Sequence, residues 1–406
     1  MALYVIRFFT WGAWSILFTF FAVWLASSAR FEASNIALLA GTLALSNRAG
    51  SLVFTRWIAR APFRALMISM QIVLMGAIIW LQWLHWHQIY WLPAWLVGAA
   101  LFGIANSVST LTQLTFIASG HAQDDTVAAF SKENVALNLS AGITPYASAL
   151  VLAAFPDWYL SFTLLYCLPT IALCMRITPA RTTPPAAEAT PVQEADLPGR
   201  IRFLAINFLS FFAFAQFYNV FPFYAQDSLG ATRTGLFFAA SSLLIVLLQI
   251  PLTRLCKRGR RRDLVTIANL ALALGVYALF FATQQVSAAI AAIVLLTLAE
   301  MIFGPLYQSM SIRLFPGRPA FAMAVLTFTW AIAETAATTL GVFMVARGQA
   351  AGIFALAAVG AAIAIALVWH TRRISADGTF AQLLASTQAH ARPVSRPEDA
   401  LRRDSS

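Results

Sequence analysis

A carboxylate in the middle of an apolar run long enough to cross a bilayer either carries protons or holds helices together. Glu300, inside "LTLAEMIFGPLYQ" from Leu296 to Gln308, is such a group, and Glu334 in "WAIAETAATTL" is another. A charge at the centre of a membrane helix costs about 2.5–3.5 kcal/mol on insertion scales, so something must offset it. A carboxyl that is neutral facing one side and ionised facing the other couples proton movement to a conformational change. The competing use is a carboxyl held permanently in one form, hydrogen-bonded to a neighbouring helix. Arg48, in "LSNRAGSLV", is the third charge placed well inside an apolar segment. It lies eight residues before Arg56, roughly 12 Å from the end of its helix at 1.5 Å per residue.

Uncharged polar groups interrupt other apolar runs. Asn106 and Gln113 are seven residues apart and share a helix face, as do Glu300 and Tyr307; Gln216 and Asn219, three apart, share another, with Tyr218 between them. Gln308 follows Tyr307, and Trp11 and Trp14 share a face near the start of the chain. Polar islands in an aromatic pocket suit a small amphipathic or aromatic solute. Each is equally suited to helix-to-helix bonding, worth about 0.6 kcal/mol per hydrogen bond in a membrane.

Soluble-enzyme chemistry has no foothold. No GxxxxGK[ST], HExxH or GxSxG pattern occurs, and no cofactor or metal is expected. Cys167, Cys174 and Cys256 lack ligand spacing and read as core fillers; His85 and His87 read as part of a wet interfacial loop. Asp124 and Asp125 read as a solvated pair or a helix cap.

The elements that must position these groups are membrane helices. Of 406 residues, 60% are hydrophobic and 11% charged, with mean hydropathy +0.74, too little charge to cover a soluble protein of this length. Twelve spans are expected: 3–26, 34–55, 65–84, 92–117, 128–153, 158–176, 201–224, 232–253, 263–283, 288–311, 320–345 and 351–369. The first, "MALYVIRFFTWGAWSILFTFFAVWLA", is too long and aromatic for a cleaved signal and reads as a span. A net charge of +11 would suit nucleic acid, but its distribution points elsewhere. With both termini inside, Arg56, Arg60, Arg64, "CKRGRRRD", Arg313 and Arg318 are all cytoplasmic, and only Arg30, Arg233 and Arg347 fall outside. Trp80, Trp83, Trp86, Trp91 and Trp95 around "LHWHQIYW" read as an interfacial aromatic belt on the outer side.

A Pro- and Ala-rich linker, residues 179–200, divides a six-span unit (1–178) from a second (201–371), followed by a polar cytoplasmic tail (372–406) expected to be loosely ordered. The halves echo one another. "TRWIARAPFRAL" from Thr55 matches "TRLCKRGRRRDL" from Thr253, with basic residues four and eight positions after the Arg. Paired six-helix halves are the mark of a transporter with its site at the repeat interface.

Three local patterns give the chain a resemblance to the major facilitator superfamily, in particular its twelve-helix proton-coupled exporters of drugs and metabolites. "AEMIFGPLYQSMSIRLFPGRPAFAMAVLTF" is similar to the family's helix ten and following loop. The loop from Thr55 to Arg64 aligns with the family's G-x-x-x-D-R-x-G-R-[RK]; Arg60 and Arg64 fit, while Ala59 replaces the acid and both glycines are lost. "SAGITPYASALVL" resembles the antiporter pattern of helix five, with Pro145 matching and Thr144, Ser148 and Ala149 standing for glycines. The helix-four arginine of many family exporters is absent.

The resemblance implies an all-α polytopic fold of twelve helices in two pseudo-symmetric bundles. It places helices one, four, seven and ten around a central cavity, and hence Glu300 at a solute site. Helices two and eleven would meet, so that Arg48 and Glu334 form a gating pair; the alternative has Arg48 snorkelling to headgroups and Glu334 packing among threonines. The function expected is export of a small organic solute in exchange for protons. It would be carried out by a monomer in a bacterial inner membrane, with protons, solute and lipid as its partners. Uptake by symport, and a transport-inactive receptor or scaffold, are the competing readings.

Overall fold

The computed structural model describes residues 2–28, 31–120, 125–177, 197–374 and 379–386. Its helices are α1 (Ala2–Ser28), α2 (Ala33–Val53), α3 (Thr55–Arg60), α4 (Phe63–Trp86), α5 (Leu92–Ser119), α6 (Thr126–Ala154), α7 (Leu164–Arg176), α8 (Leu197–Ala215), α9 (Phe221–Cys256), α10 (Arg261–Phe281), α11 (Val286–Leu314), α12 (Pro319–Ala346), α13 (Ala350–Ile374) and α14 (Thr379–Ala385). Among the described residues nine helices are long and apolar enough to cross a membrane, and three shorter apolar stretches lie in α1, α2 and the segment ending in α7. These fit the twelve expected spans, all-helical as lipid demands, because only a helix satisfies its own backbone in oil.

Helix ends follow local chemistry. Pro62 and Pro319 stand where the missing N–H costs nothing, at the starts of α4 and α12. Gly317 (φ +71°) and Gly348 (φ +74°) make the tight connections before and after α12, where a side chain would strain the backbone. Two departures from the expected spans occur. The sixth span opens with 3-10 turns at Pro156–Trp158 and Leu160–Thr163 before α7. The seventh and eighth are joined without a break in the helix, α9 continuing to Cys256.

The two halves repeat one another in their packing. In the first, α1 packs on α6 and α7, α5 on α2 and α4, and α4 on α7. In the second, α8 packs on α12 and α13, α11 on α9 and α10, and α10 on α13. Each pair in one half has its counterpart in the other, the arrangement expected of a duplicated six-helix unit. The cores are aromatic, with Trp24, Trp95, Phe102, Phe130, Phe203 and Phe221 fully buried, while Leu45, Ile72, Leu247, Leu255 and Ile290 face outward. Side chains of that kind on the outside belong in hydrocarbon.

Close packing of α2 on α5 depends on Gly103. A Cβ there would lie 2.8 Å from Leu43 O and 2.9 Å from Asn47 N, both backbone atoms of α2. Gly76, by contrast, has no atom within 4 Å of its would-be Cβ. Gly103→Val is expected to destabilise the first half by about 1–3 kcal/mol through overpacking. Gly76→Val should be neutral. Thermal unfolding of both variants in detergent checks this.

The outer aromatic cluster differs from the expected belt. Trp80, Trp83, Trp86 and Trp91 are exposed, but Trp95 is fully buried, its indole donating to Ile89 O at 2.8 Å and packing edge-on to Phe31. His85 is also buried rather than wet: it lies against Trp24 and pairs with Asp157 at 3.4 Å. A helical period turns both residues inward, whereas loop position alone had put them outside. Cys167 and Cys174 are buried free thiols, and Cys256 is half-buried. Asp125 stands before α6 without a side-chain cap bond, and Asp124 lies outside the described residues.

The tail carries more structure than its composition suggests. Residues 379–385 form α14, which docks on the second half through buried Phe380, Leu383 and Leu384. Phe380 packs against Phe203 of α8, and the backbone N–H of Arg261 donates to Ser386 O at 3.1 Å.

Candidate functional site

Glu300 is the central residue of the 29-residue α11 and is buried. It faces the other half of the molecule. Asn138 of α6 donates through Nδ2 to Glu300 Oε1 at 3.2 Å, and the Tyr218 hydroxyl faces the same carboxylate. The second carboxylate oxygen, Oε2, is buried with no hydrogen-bond partner among the described residues. From Tyr218 a continuous run of ring contacts extends to Phe238 on one side and through Phe214 to Phe303 on the other, including a Tyr218–Phe238 stack at 5.2 Å.

Asn138 is the deepest rung of a polar ladder joining the halves. The hydroxyls of Thr126 (α6) and Ser309 (α11) lie 2.7 Å apart at the basic end of the molecule. One turn deeper, Ser131 and Thr253 (α9) lie 2.8 Å apart. Next, Asn134 donates to Gln249 Oε1 at 2.9 Å, and Gln249 donates onward to Met301 O at 2.9 Å. Asn138 then bridges Asn134 Oδ1, at 3.2 Å, and Glu300. Residues 131, 134 and 138 follow a helical period, so one face of α6 presents them all. From Thr126 to Asn138 the ladder climbs about 18 Å. The halves also meet where α12 packs on α2, α3 and α5.

Span seven is irregular where it carries its polar residues. Gln216–Val220 forms a π-helical turn between α8 and α9. Such bulges often mark functional positions, because they reorient side chains within a helix. Here the bulge sends Tyr218 toward Glu300 and Asn219 toward α12, where Asn219 Nδ2 donates to Glu334 Oε1 at 3.3 Å and to Thr338 Oγ1 at 3.0 Å. Gln216 is buried, donating to Phe212 O, with its own Oε1 bonded to no described residue. Glu334 is half-buried within α12. The side chains of Arg48 and Pro145 lie outside the described set, so the Arg48–Glu334 pair has no counterpart to compare.

The other predicted residues divide sharply. Tyr307 is tied into a knot of the second half: its hydroxyl lies 2.9 Å from Ser210 Oγ and accepts from Asn269 at 3.0 Å. Gln113 exchanges hydrogen bonds with Thr10 of α1, and Asn106 donates to Asn47 of α2 at 2.8 Å. These three bond helices within a half. Gln308 is buried without a hydrogen bond to any described residue. Trp14 is buried and stacks on Phe102, while Trp11 lies under the Arg7 guanidinium at 5.4 Å. Thr144 and Ser148 are buried on α6, Thr144 against Ser140 and Ser148 near Ile16 O of α1. Arg60 and Arg64 are exposed and form no hydrogen bond or ion pair with a described residue.

Sequence reasoning missed a buried charge pair. Arg7 of α1 donates through Nε to Glu133 of α6 at 2.5 Å, with both side chains almost wholly buried, and Nη1 reaches Thr110 of α5 at 3.4 Å. Glu133 sits in "SKEN" near the start of α6. A helical projection of α6 would have set Glu133 apart from exposed Lys132.

Residues 203–394 match the sequence profile of the Major Facilitator Superfamily. Solved structures share the fold over nearly the whole chain. The proton:xylose symporter XylE bound to 6-bromo-6-deoxy-D-glucose superposes with TM-score 0.70 at 12% identity, over 91% of this chain and 94% of that one. A bacterial homologue of the iron transporter ferroportin, in an outward-facing state, gives 0.69 at 13% identity, over 91% and 98%. The human organic anion transporter MFSD10 (TETRAN) gives 0.65 at 16% identity, over 90% and 98%. No curated protein sequence matches the chain. The molecule is therefore an integral membrane protein with the major facilitator fold. At these identities the likeness is one of fold.

Proposed function

We propose that the protein is a secondary active transporter of the major facilitator superfamily, moving a small organic solute by alternating access with Glu300 as its proton-linked group. The observation that carries this reading is the position of Glu300. It is central in α11, buried, bonded across the two halves to Asn138, and faced by the Tyr218 hydroxyl, with its second oxygen making no close hydrogen bond to a described residue. A buried charge with an unmet oxygen is expensive, whereas a neutral carboxyl is not. Gain or loss of a proton therefore changes what the closed interface must bury, which links proton binding to the opening of the ladder.

The ladder lies toward the basic end, which the positive-inside rule assigns to the cytoplasm. The state described is then closed on that side, and opening it means breaking every rung from Thr126 to Asn138. Exchange of solute for protons is the direction we favour, on the small-residue run of α6; Thr144 and Ser148, both buried there, let it lie close to α1. Arg60 and Arg64, without a hydrogen bond or ion pair to a described residue, serve here as topological charges rather than as a gate.

The test is flux in reconstituted vesicles carrying an internal pH dye, challenged with a panel of small organic anions, cations and neutral solutes. Solute-dependent proton movement is expected for at least one class. Solute flux with no proton movement under any gradient would remove the coupling, and no flux of either kind would leave the scaffold reading.

The ladder carries its own prediction. Asn138→Leu takes away the Glu300 hydrogen bond that crosses the two halves and removes the deepest rung, which should favour the state open at the basic end. A lost buried hydrogen bond of about 1–3 kcal/mol corresponds to roughly a 5- to 150-fold change in the closed-to-open ratio. Cysteine introduced at Asn134 should label faster from the basic side in that background. Equal labelling rates would show that the rung does not hold the interface.

A further inference from the structure

We propose that an open pocket at the basic end of the second half, between α10, α13 and the docked α14, binds the phosphate headgroup of an anionic phospholipid. The pocket has a volume of about 390 Å³. It lies far from Glu300 and does not depend on the transport reading, only on the chain being in a membrane.

The division of labour within "RGRRRD" creates it. Arg261, the middle arginine, turns inward, is fully buried, and holds α14 through Ser386. Its neighbours Arg260 and Arg262 are left lining the cavity. Arg260 makes no side-chain hydrogen bond to a described residue. Arg262 donates to Asp263, at 3.2 Å, and to no other described residue, and the lining itself holds two guanidinium groups and no carboxylate. Paired arginine N–H groups match phosphate oxygens in geometry as well as charge.

The remaining walls say which phosphate. Val368 of α13 and Leu384 and Ala381 of α14 are apolar, with Thr371 the remaining polar group. Thr371 Oγ1 is already committed to Leu367 O at 2.8 Å. A free inorganic phosphate gains nothing from such walls, whereas the glycerol and upper acyl carbons of a lipid do. Depth agrees. Trp369 is 44% exposed beside the cavity, with the Arg262 guanidinium 4.4 Å above its ring, and tryptophan in that setting marks the headgroup level. Basic pockets between helices on the cytoplasmic side are where anionic headgroups settle. A headgroup held there would bridge α10 to α14 and fix the C-terminal helix in place.

The test uses the purified full-length chain in nanodiscs of phosphatidylcholine alone or with phosphatidylglycerol. Native mass spectrometry counts retained lipid, and hydrogen exchange reads residues 379–385. Phosphatidylglycerol should be retained in preference to phosphatidylcholine and should slow exchange in α14. Arg260→Gln with Arg262→Gln should weaken retention about 10- to 30-fold, at roughly tenfold or less per basic contact near the surface. Arg260→Lys with Arg262→Lys should recover part of it. Because Arg262 also packs on Trp369, Ala381→Phe supplies an independent arm: it fills the cavity, keeps both charges, and should displace the lipid. Unchanged lipid retention in both the Gln pair and Ala381→Phe overturns the proposal. So does protection of α14 by inorganic phosphate equal to that by phosphatidylglycerol, which would make this a site for the free ion.

Discussion

In vesicles, Glu300→Gln is expected to lose solute-dependent proton movement altogether while still exchanging labelled for unlabelled solute at equal pH on both sides. Glutamine keeps the size of the side chain and an amide oxygen that can accept from Asn138, so the deepest rung survives. What it removes is the exchangeable proton. The wild-type flux should depend on pH and the variant's should not, because no group titrates at that position. A variant that keeps proton-linked flux with wild-type pH dependence would take Glu300 out of the mechanism. Glu334→Gln is the comparison: Asn219 still has Thr338 as an acceptor, so coupling should persist.

The largest stability effect is expected at the Arg7–Glu133 pair. Glu133→Ala leaves the Arg7 guanidinium buried with Thr110 and the Trp11 ring as its remaining partners among the described residues. Breaking a buried pair on one side costs about 3–5 kcal/mol, because the survivor is an uncompensated ion. The double variant Arg7→Met, Glu133→Leu buries no charge and should regain most of that loss, since desolvation cancels much of what a buried pair contributes. Unfolding midpoints in detergent for the two single variants and the double one complete the cycle. Additive losses would show that the two side chains do not act as a pair. Flux in the stable double variant then separates roles. A purely structural clamp leaves proton-linked transport intact, whereas loss of coupling with stability restored would make Glu133 a second proton-linked group.

The contrast between Glu300 and Tyr307 shows where a one-dimensional reading stops. Seven residues apart, they lie on one face of α11, and a helical projection assigns them to one cavity. In the folded chain Tyr307 bonds to Ser210 and Asn269 within its own half, while Glu300 crosses to Asn138 in the other. The neighbours change with depth because the tilt of each helix brings different partners to successive turns of the same face. Gln113 and Asn106 went the same way, into contacts with Thr10 and Asn47. The π-turn at Gln216–Val220 also has no composition signal, since it depends on how α8 is packed.

The sequence by itself marked the apolar runs, the end that carries the basic loops and the carboxylate at the centre of α11. Each of these is a property of a contiguous stretch: hydrocarbon selects for unbroken apolar runs, and a charge inside one stands out without reference to any other part of the chain. Only the tertiary structure decided which residues meet. Arg7 and Glu133 are 126 positions apart, and the rungs from Thr126 to Asn138 find partners more than 100 positions away. In a chain where almost every face is apolar, the rotation of each helix is set by close packing and a few polar contacts, and those exist only once the helices have come together.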